Sequence, residues 1–250
     1  MAKVFQVDSG GTLTTNLVAY YKLEDATDFW GSYNLTNNNS ISFVPGKVNN
    51  CGDSGSANSN KSLTNSTSSI ITSGTMPFSI SAWVNINTQP GTNVLMDFVS
   101  VQDGDVFVGY ELGYRDVSGT KKVYAERFKS GVADDIIDYA STLTIGTWYH
   151  LVLTWDGSAL KLYLNNSLVA SNTFSGVGNT NRGNGISLFA RVTTGGSPLS
   201  ERFTSTKIDE VGIWSKALTT TEISDLYNGG NGQTMIEPSI NTRRRLLLTV

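Results

Sequence analysis

The chain has 250 residues, 18 Lys and Arg against 21 Asp and Glu, a formal charge of −3, one Cys and one His. This length fits a single large β domain, and the acidic balance argues against nucleic acid or an anionic membrane as partner, because phosphate contacts need a basic surface. The lone Cys51 excludes an intrachain disulfide framework, and the low share of charged residues, 16%, beside abundant Asn, Ser, Thr and Gly points to short strands and many turns.

Residues 1–16 carry no strand pattern and are expected to form an N-terminal arm. They lack the apolar core of about 7 to 15 residues that a secretory signal needs, and no later stretch approaches the ~20 apolar residues of a membrane span. The expectation is a soluble chain. Residues 17–23 (LVAYYKL) read as a first strand, followed by a loop. The low-complexity run 54–69 reads as loop with one short strand at most. In residues 78–86, Phe78, Ile80, Ala82, Val84 and Ile86 share one face of a strand. Residues 94–101, 106–114 and 122–128 continue the meander, with Val117-Ser118-Gly119-Thr120 closing a hairpin between the last two.

The stretch 148–170, WYHLVLTWDGSALKLYLNNSLVA, organises the rest. Asp156-Gly157-Ser158 between two apolar runs predicts a hairpin. Leu160, Leu162 and Leu164 alternate with Lys161 and Tyr163, whereas 149–155 is apolar on both faces, the pattern of a strand covered on both sides in stacked antiparallel sheets. Asn165-Asn166 makes the next tight turn, since Asn tolerates positive φ. Residues 186–192 and 206–214 are the closing strands. Thr219-Thr220-Thr221-Glu222 fits a capping box, with Leu218 and Ile223 as hydrophobic staple, and Asn228-Gly229-Gly230 ends the helix. Residues 232–250 form a tail whose last ten, NTRRRLLLTV, would leave an apolar patch exposed unless they dock on a partner or fold back as a strand on their own domain.

The set LVAYYKLED, VPGKVNN with a following Asp-Ser-Gly, FSISAWVNI, WYHLVLTWDGSALKLYLNNSLVAS and IDEVGIWSKALTTTEISDLYNGG resembles the laminin-G-like jelly roll of the concanavalin A-like lectin/glucanase superfamily. The motifs follow the family's order and place one domain at 17–231. The resemblance implies an all-β, two-sheet antiparallel sandwich with one short C-terminal helix.

Fold does not settle function. Glycosidases of this superfamily place acidic residues close together on one strand, so that both carboxylates face one groove. No strand here does so. Glu111 and Glu126 are each alone on theirs, Asp134, Asp135 and Asp138 fall in a loop-like segment, and the adjacent Asp209 and Glu210 should point to opposite faces. His150 lies inside an apolar strand and reads as a satisfied core residue, and no nucleophile elbow, phosphate loop or dinucleotide fingerprint appears. The reading is therefore not an enzyme, with a glycan-active enzyme as the less favoured alternative.

Sugar recognition in jelly rolls pairs aromatic faces with planar polar groups, and Tyr114, Arg115, Tyr124, Arg127 and Arg191, with Tyr110, lie on strands that could form one open face. The same residues fit cross-strand packing, Tyr114 against Tyr124 or Glu111 with Arg127. The expectation is a non-catalytic recognition, adhesion or decoration module for glycans or glycoproteins. Similar domains occur in bacteriophage virion proteins, so the implied setting is a virion-associated homo-oligomer that recognises host-surface glycans and meets other virion proteins through its tail. A purely structural virion protein without sugar binding, and a cytoplasmic location or export by a non-Sec route, are the alternatives.

The resemblance also implies a structural calcium ion. The superfamily's Asp on the penultimate strand corresponds to Asp209, whose carboxylate would meet carbonyl oxygens of Glu24 or Asp25 at the end of the first strand and of a residue near Asp53 to Gly55 in the loop after the Pro-Gly turn. Calcium accepts carboxylates and carbonyls alike. The alternative is that Asp209 only receives backbone hydrogen bonds. Asp103-Gly104-Asp105 is a second, weaker candidate.

Overall fold

The computed structural model describes residues 3–55, 60–66, 76–103, 108–129, 133–175, 185–191 and 202–237. In chain order the strands are β1 (Val4–Phe5), β2 (Leu17–Tyr21), β3 (Thr36–Asn38), β4 (Ser42–Pro45), β5 (Asn50–Asp53), β6 (Ser62–Asn65), β7 (Phe78–Ile86), β8 (Leu95–Asp103) and β9 (Val108–Val117). They continue with β10 (Thr120–Phe128), β11 (Asp135–Ala140), β12 (Tyr149–Trp155), β13 (Ala159–Leu164), β14 (Ser167–Thr173), β15 (Ile186–Leu188), β16 (Thr206–Trp214), the helix α1 (Thr220–Tyr227) and β17 (Met235–Ile236). One sheet has the order β11-β10-β9-β8-β15-β6-β3, the other β14-β13-β12-β7-β16-β5-β4 with β2 also paired to β16, and β1 pairs with β17. All the pairings are antiparallel. This is the two-sheet sandwich expected from the strand pattern.

The turns follow their sequences. The Asp156 carboxylate accepts from the Ser158 and Ala159 amides while Gly157 takes φ +100°, and Asn165 and Asn166 both adopt positive φ. That pair of left-handed residues matches the twist of the flanking strands. Thr219 and Glu222 form the reciprocal capping box, and Leu218 and Ile223 are buried together as its staple. Asn228, with φ +48°, takes the left-handed C-cap.

Burial shows two cores. The larger lies between the sheets and holds Ile80, Val84, Phe98, Leu112, Tyr114, Leu151, Leu153, Trp155 and Ile208. The smaller lies on the outer face of the eight-stranded sheet, where Val152, Tyr163 and Trp214 meet Phe5, Leu13, Leu17, Tyr20, Leu226 and Met235. β12 is thus apolar on both faces because it serves both cores. The arm is part of the second core. The Trp214 Nε1 donates to the Leu13 carbonyl at 2.7 Å, Ser9 bonds the Asp225 carboxylate, and Thr12 bonds Glu222.

Residues 135–140 form an edge strand rather than a loop, so Asp135 and Asp138 sit on the sheet. The expected strand starts and ends at Val106 and Val192, the turn Gly104-Asp105, most of the Gly-rich run 178–185 and the Arg-Leu segment 241–250 lie outside the described residues.

Candidate functional site

On β9, Tyr110, Leu112 and Tyr114 face the main core, so Glu111, Gly113 and Arg115 face outward. The hairpin register sets Glu111 directly opposite Glu126 on β10, and Gly113 opposite Tyr124. Gly113 is needed there. A Cβ would stand 2.5 Å from the Met96 carbonyl and 2.6 Å from the Tyr124 ring. The Tyr124 hydroxyl donates to Asp97 on β8, and Ser100 Oγ lies 3.3 Å from Glu111. Arg191 Nε contacts Glu111 at 2.9 Å with its guanidinium over the Phe128 ring, and Arg202 reaches Glu111 at 3.5 Å and Asp97 at 3.6 Å. At the rim, Arg115 lies over Tyr124 and shares Asp138 with Lys122.

The outer face of the seven-stranded sheet therefore carries three buried carboxylates, Asp97, Glu111 and Glu126, gathered around two guanidiniums. Burial raises all three, disfavouring their charged forms: Glu111 lies well above the ordinary range and Glu126 is pushed up to about 7, with Asp97 adding to both and the arginines opposing. Among the described residues three carboxylates meet two guanidiniums here, and burial favours the neutral form of the carboxyls.

This arrangement revises the sequence reading. Arg115, Tyr124 and Arg191 do share this face. Tyr114 and Arg127 do not: Tyr114 points into the main core, donating to Gln89 at 2.9 Å and accepting from the Leu143 amide, while Arg127 is buried against Asp135 with its guanidinium 4.0 Å from the centre of the Trp155 ring. The expected pairs are also off by a step, since Tyr114 opposes Val123 and Arg127 opposes Tyr110. Asp97, Glu111, Glu126 and Arg202 were missed as a group. A signal existed: counting back from the turn, where Val117 pairs with Thr120, puts 111 against 126.

The implied calcium ligands separate into two places. Asp209 Oδ2 accepts from the amides of Lys47 at 2.8 Å and Val48 at 2.9 Å, so the loop after the Pro-Gly turn meets it with donors. Asp209 Oδ1 is buried without a hydrogen-bond partner, as is Glu24 Oε1. Burial first, and the Glu24 charge in addition, push Asp209 up to about 8. A β-bulge follows, with Glu210 at φ +49°, so the two adjacent acids do not alternate as expected. Glu210 bonds the Tyr20 hydroxyl and leaves Oε1 unpaired. Asp25 is exposed, and its carboxylate caps the Thr27 amide. Asp53 Oδ1 accepts from Gly55 and Asn87, and the Gly55 carbonyl from Asn87 and Ser205, which engages both away from Asp209. Among the described residues no group of three or more His, Cys, Asp or Glu side chains is placed to hold a metal ion. Asp209 and Glu24 keep oxygens suited to a hard cation, with the remaining ligands left to backbone carbonyls.

His150 is buried against Trp83 and Tyr227, which stack on each other, with Ser81 Oγ 2.8 Å from Nε2, and burial lowers it to about 3, favouring the neutral ring.

Among curated protein sequences none matches the chain significantly. Solved structures do, at low identity. The binding domain of Paraclostridial Mosquitocidal Protein 1 aligns with TM-score 0.66 and 19% identity over 87% of this chain and 53% of that one. A structure of botulinum neurotoxin type C aligns with TM-score 0.68 and 14% identity over 88% of this chain and 52% of that one, so the chain spans about half the length of these two. Domain 4 of a GH43 extracellular arabinanase from Geobacillus stearothermophilus, in complex with arabinotriose, aligns with TM-score 0.61 and 20% identity over 84% of this chain and 97% of that domain. A family model of the concanavalin A-like lectin/glucanases superfamily matches residues 54–224, well over half of the chain, from the β5–β6 connection into α1. The chain belongs to the concanavalin A-like lectin/glucanases superfamily.

Proposed function

We propose that the protein is a non-catalytic glycan-recognition module. The observation that carries this reading is the outer face of the seven-stranded sheet. At its rim the partly exposed Arg115, Lys122 and Asp138 present a guanidinium, an ammonium and a carboxylate, the polar groups that read sugar hydroxyls, above a layer in which Ser62, Thr64, Ser100, Ser187, Glu111, Glu126, Tyr124, Phe128 and Arg191 are buried. Support comes from the similar structures: cell entry of botulinum neurotoxin type C depends upon interaction with two ganglioside molecules, and the arabinanase domain was solved with arabinotriose. A glycan array with the purified chain tests it. Saturable binding that Arg115→Ala weakens is expected, and a blank array would end the reading.

The opposed Glu111 and Glu126 favour a second reading, a glycan-active enzyme, because a retaining glycosidase pairs an ionised carboxylate with a protonated one. Against it, Glu111 is 0% and Glu126 5% exposed, and Arg191 and Arg202 already hold Glu111. Reducing-sugar release by the wild type and not by Glu126→Gln would establish the enzyme.

The setting we propose is a virus particle, as attachment or decoration protein, with residues 241–250 meeting other particle proteins. Mass spectrometry of purified particles and assembly of a chain ending at Glu237 test these two points. Calcium between Asp209 and Glu24 is supported by their unpaired buried oxygens. A melting curve with calcium and with a chelator, on wild type and Asp209→Ala, tests it: a wild-type midpoint indifferent to chelation rules the ion out.

A further inference from the structure

The outer face of the eight-stranded sheet is covered along most of its length. The arm and α1 lie over Val152, Tyr163 and Trp214, and the Lys47 ammonium lies 4.6 Å from the centre of the Trp83 ring. One row further along, the cover ends. There Lys207 on β16 stands between Asp53 on β5 and Asn85 on β7. Since Val84, Ile86 and Ile208 face the main core, these three side chains point outward. Asn87 fixes one wall by bridging Asp53 and the Gly55 carbonyl, and the Gly146 amide, bonded to the Ile86 carbonyl at 3.1 Å, brings Ile145 up as the other. The result is a groove of about 530 Å³, within the size range of small-molecule sites.

Two groups in this groove have no hydrogen-bond or ion-pair partner for their side chains among the described residues. Asn85 is only 6% exposed, yet its side-chain amide makes no hydrogen bond to the described residues, although an amide offers two donors and an acceptor oxygen. Lys207 has no carboxylate within 4.0 Å, in spite of Asp53 opposite it. Elsewhere on this face Ser81 bonds His150, Ser79 bonds the Lys216 carbonyl, and Asp209 takes two amides on Oδ2. An amide held in place by a nearly buried residue and open toward a groove offers its donors and acceptor to a hydroxyl-bearing ligand in exchange for water.

We propose that the Asp53–Lys207–Asn85 groove is a saccharide subsite that takes an uncharged sugar residue through a pair of neighbouring hydroxyls. Asp53 and the Asn85 oxygen accept from those hydroxyls, and Lys207 and the Asn85 nitrogen donate to them. Ile145, 54% exposed, supplies an apolar wall for the C–H face of the ring. One cation against one carboxylate makes the groove neutral, and Asp53 would repel an acidic sugar. The proposal rests on the glycan-recognition reading but places this contact on the opposite sheet from the Glu111–Glu126 cluster.

The test is a titration of the full-length chain, labelled with nitrogen-15, with arabinotriose, mannotriose, galactotriose and 3′-sialyllactose, read at the side-chain amide of Asn85, which is assigned by its loss in Asn85→Asp. A neutral trisaccharide is expected to shift that resonance saturably. Lys207→Gln and Ile145→Ala, both at partly exposed positions, are expected to weaken binding about tenfold each with an unchanged melting midpoint, as for loss of one charge-assisted bond or one apolar contact. Saccharide-induced shifts confined to the outer face of the other sheet would overturn this subsite while leaving glycan recognition standing. Tighter binding of 3′-sialyllactose at Asn85 would overturn the uncharged class. No shift with any saccharide would overturn both readings.

Discussion

The two sheets bury similar apolar faces against each other, but their outer faces solve different problems. On the eight-stranded sheet, apolar residues such as Val152, Tyr163 and Trp214 are covered by the arm and α1, giving a second hydrophobic core. On the seven-stranded sheet, the outward positions are acids, hydroxyls and arginines that neutralise one another. The first arrangement adds stability through area and depends little on exact geometry. The second is sensitive to every partner, because a buried charge that loses its counter-charge is stranded. The lesson is that the shared interior makes the sandwich while the outer faces make it particular.

The largest break in this comparison is expected on the charged side. Arg191→Ala leaves Glu111 buried with less compensation and should cost about 3–5 kcal/mol in urea unfolding. On the apolar side, Leu13→Ala removes a fully buried side chain of the second core while keeping the carbonyl that bonds Trp214, and roughly 3 kcal/mol is expected by the same measurement.

A pH series sharpens the contrast further. Glu126 has its folded value raised from the ordinary 4.5 to about 7, so the stability it contributes is fully present below about 4.5 and is lost as pH rises through 7. Asp209, raised to about 8, acts in the same direction over a window that ends higher. The melting midpoint should therefore fall between pH 5 and pH 8, by the equivalent of about 2–3 kcal/mol for Glu126. Glu126→Gln should flatten that slope, and an unchanged slope would show that the carboxylate cluster does not hold the proton. The smallest effect is at the helix over the apolar face, where Thr219→Ala loses the capping box and about 1 kcal/mol, seen as a small downward shift of the midpoint.

Much of the fold was legible because its signals are local. Asp156-Gly157, Asn165-Asn166 and the Thr219–Glu222 box each state their conformation within a few residues, and the two-sided apolarity of 149–155 foretold a strand between two cores. The edge strand β11 was not legible, since DIIDYA carries acids at an edge that the sheet tolerates by pairing Asp135 with Arg127 and Asp138 with Arg115. The candidate site was half legible. Arg115, Tyr124 and Arg191 were found as residue types, but Tyr114 and Arg127 were placed on the wrong face, because Tyr and Arg suit either side of a strand and only burial of the alternating neighbours decides. The acid pair needed the cross-strand register rather than the single strand, and its partners Asp97 and Arg202 come from distant segments. At Asp209 the bulge defeated simple alternation, as no residue in IDEVG announces a left-handed Glu210.

The pairing of β1 with β17 has a mechanical consequence. Val4 faces Ile236 and Phe5 faces Met235 in an antiparallel ladder, so the outward ends of the two strands emerge side by side. Tension applied between residues 3 and 237 would load this ladder in an unzipping direction, opening its bonds one after another rather than all at once. Under such a pull the two-residue clasp should yield first and reversibly, a short leash that lengthens before the sandwich itself is loaded. In an optical trap this should appear as a low-force extension preceding the main unfolding event.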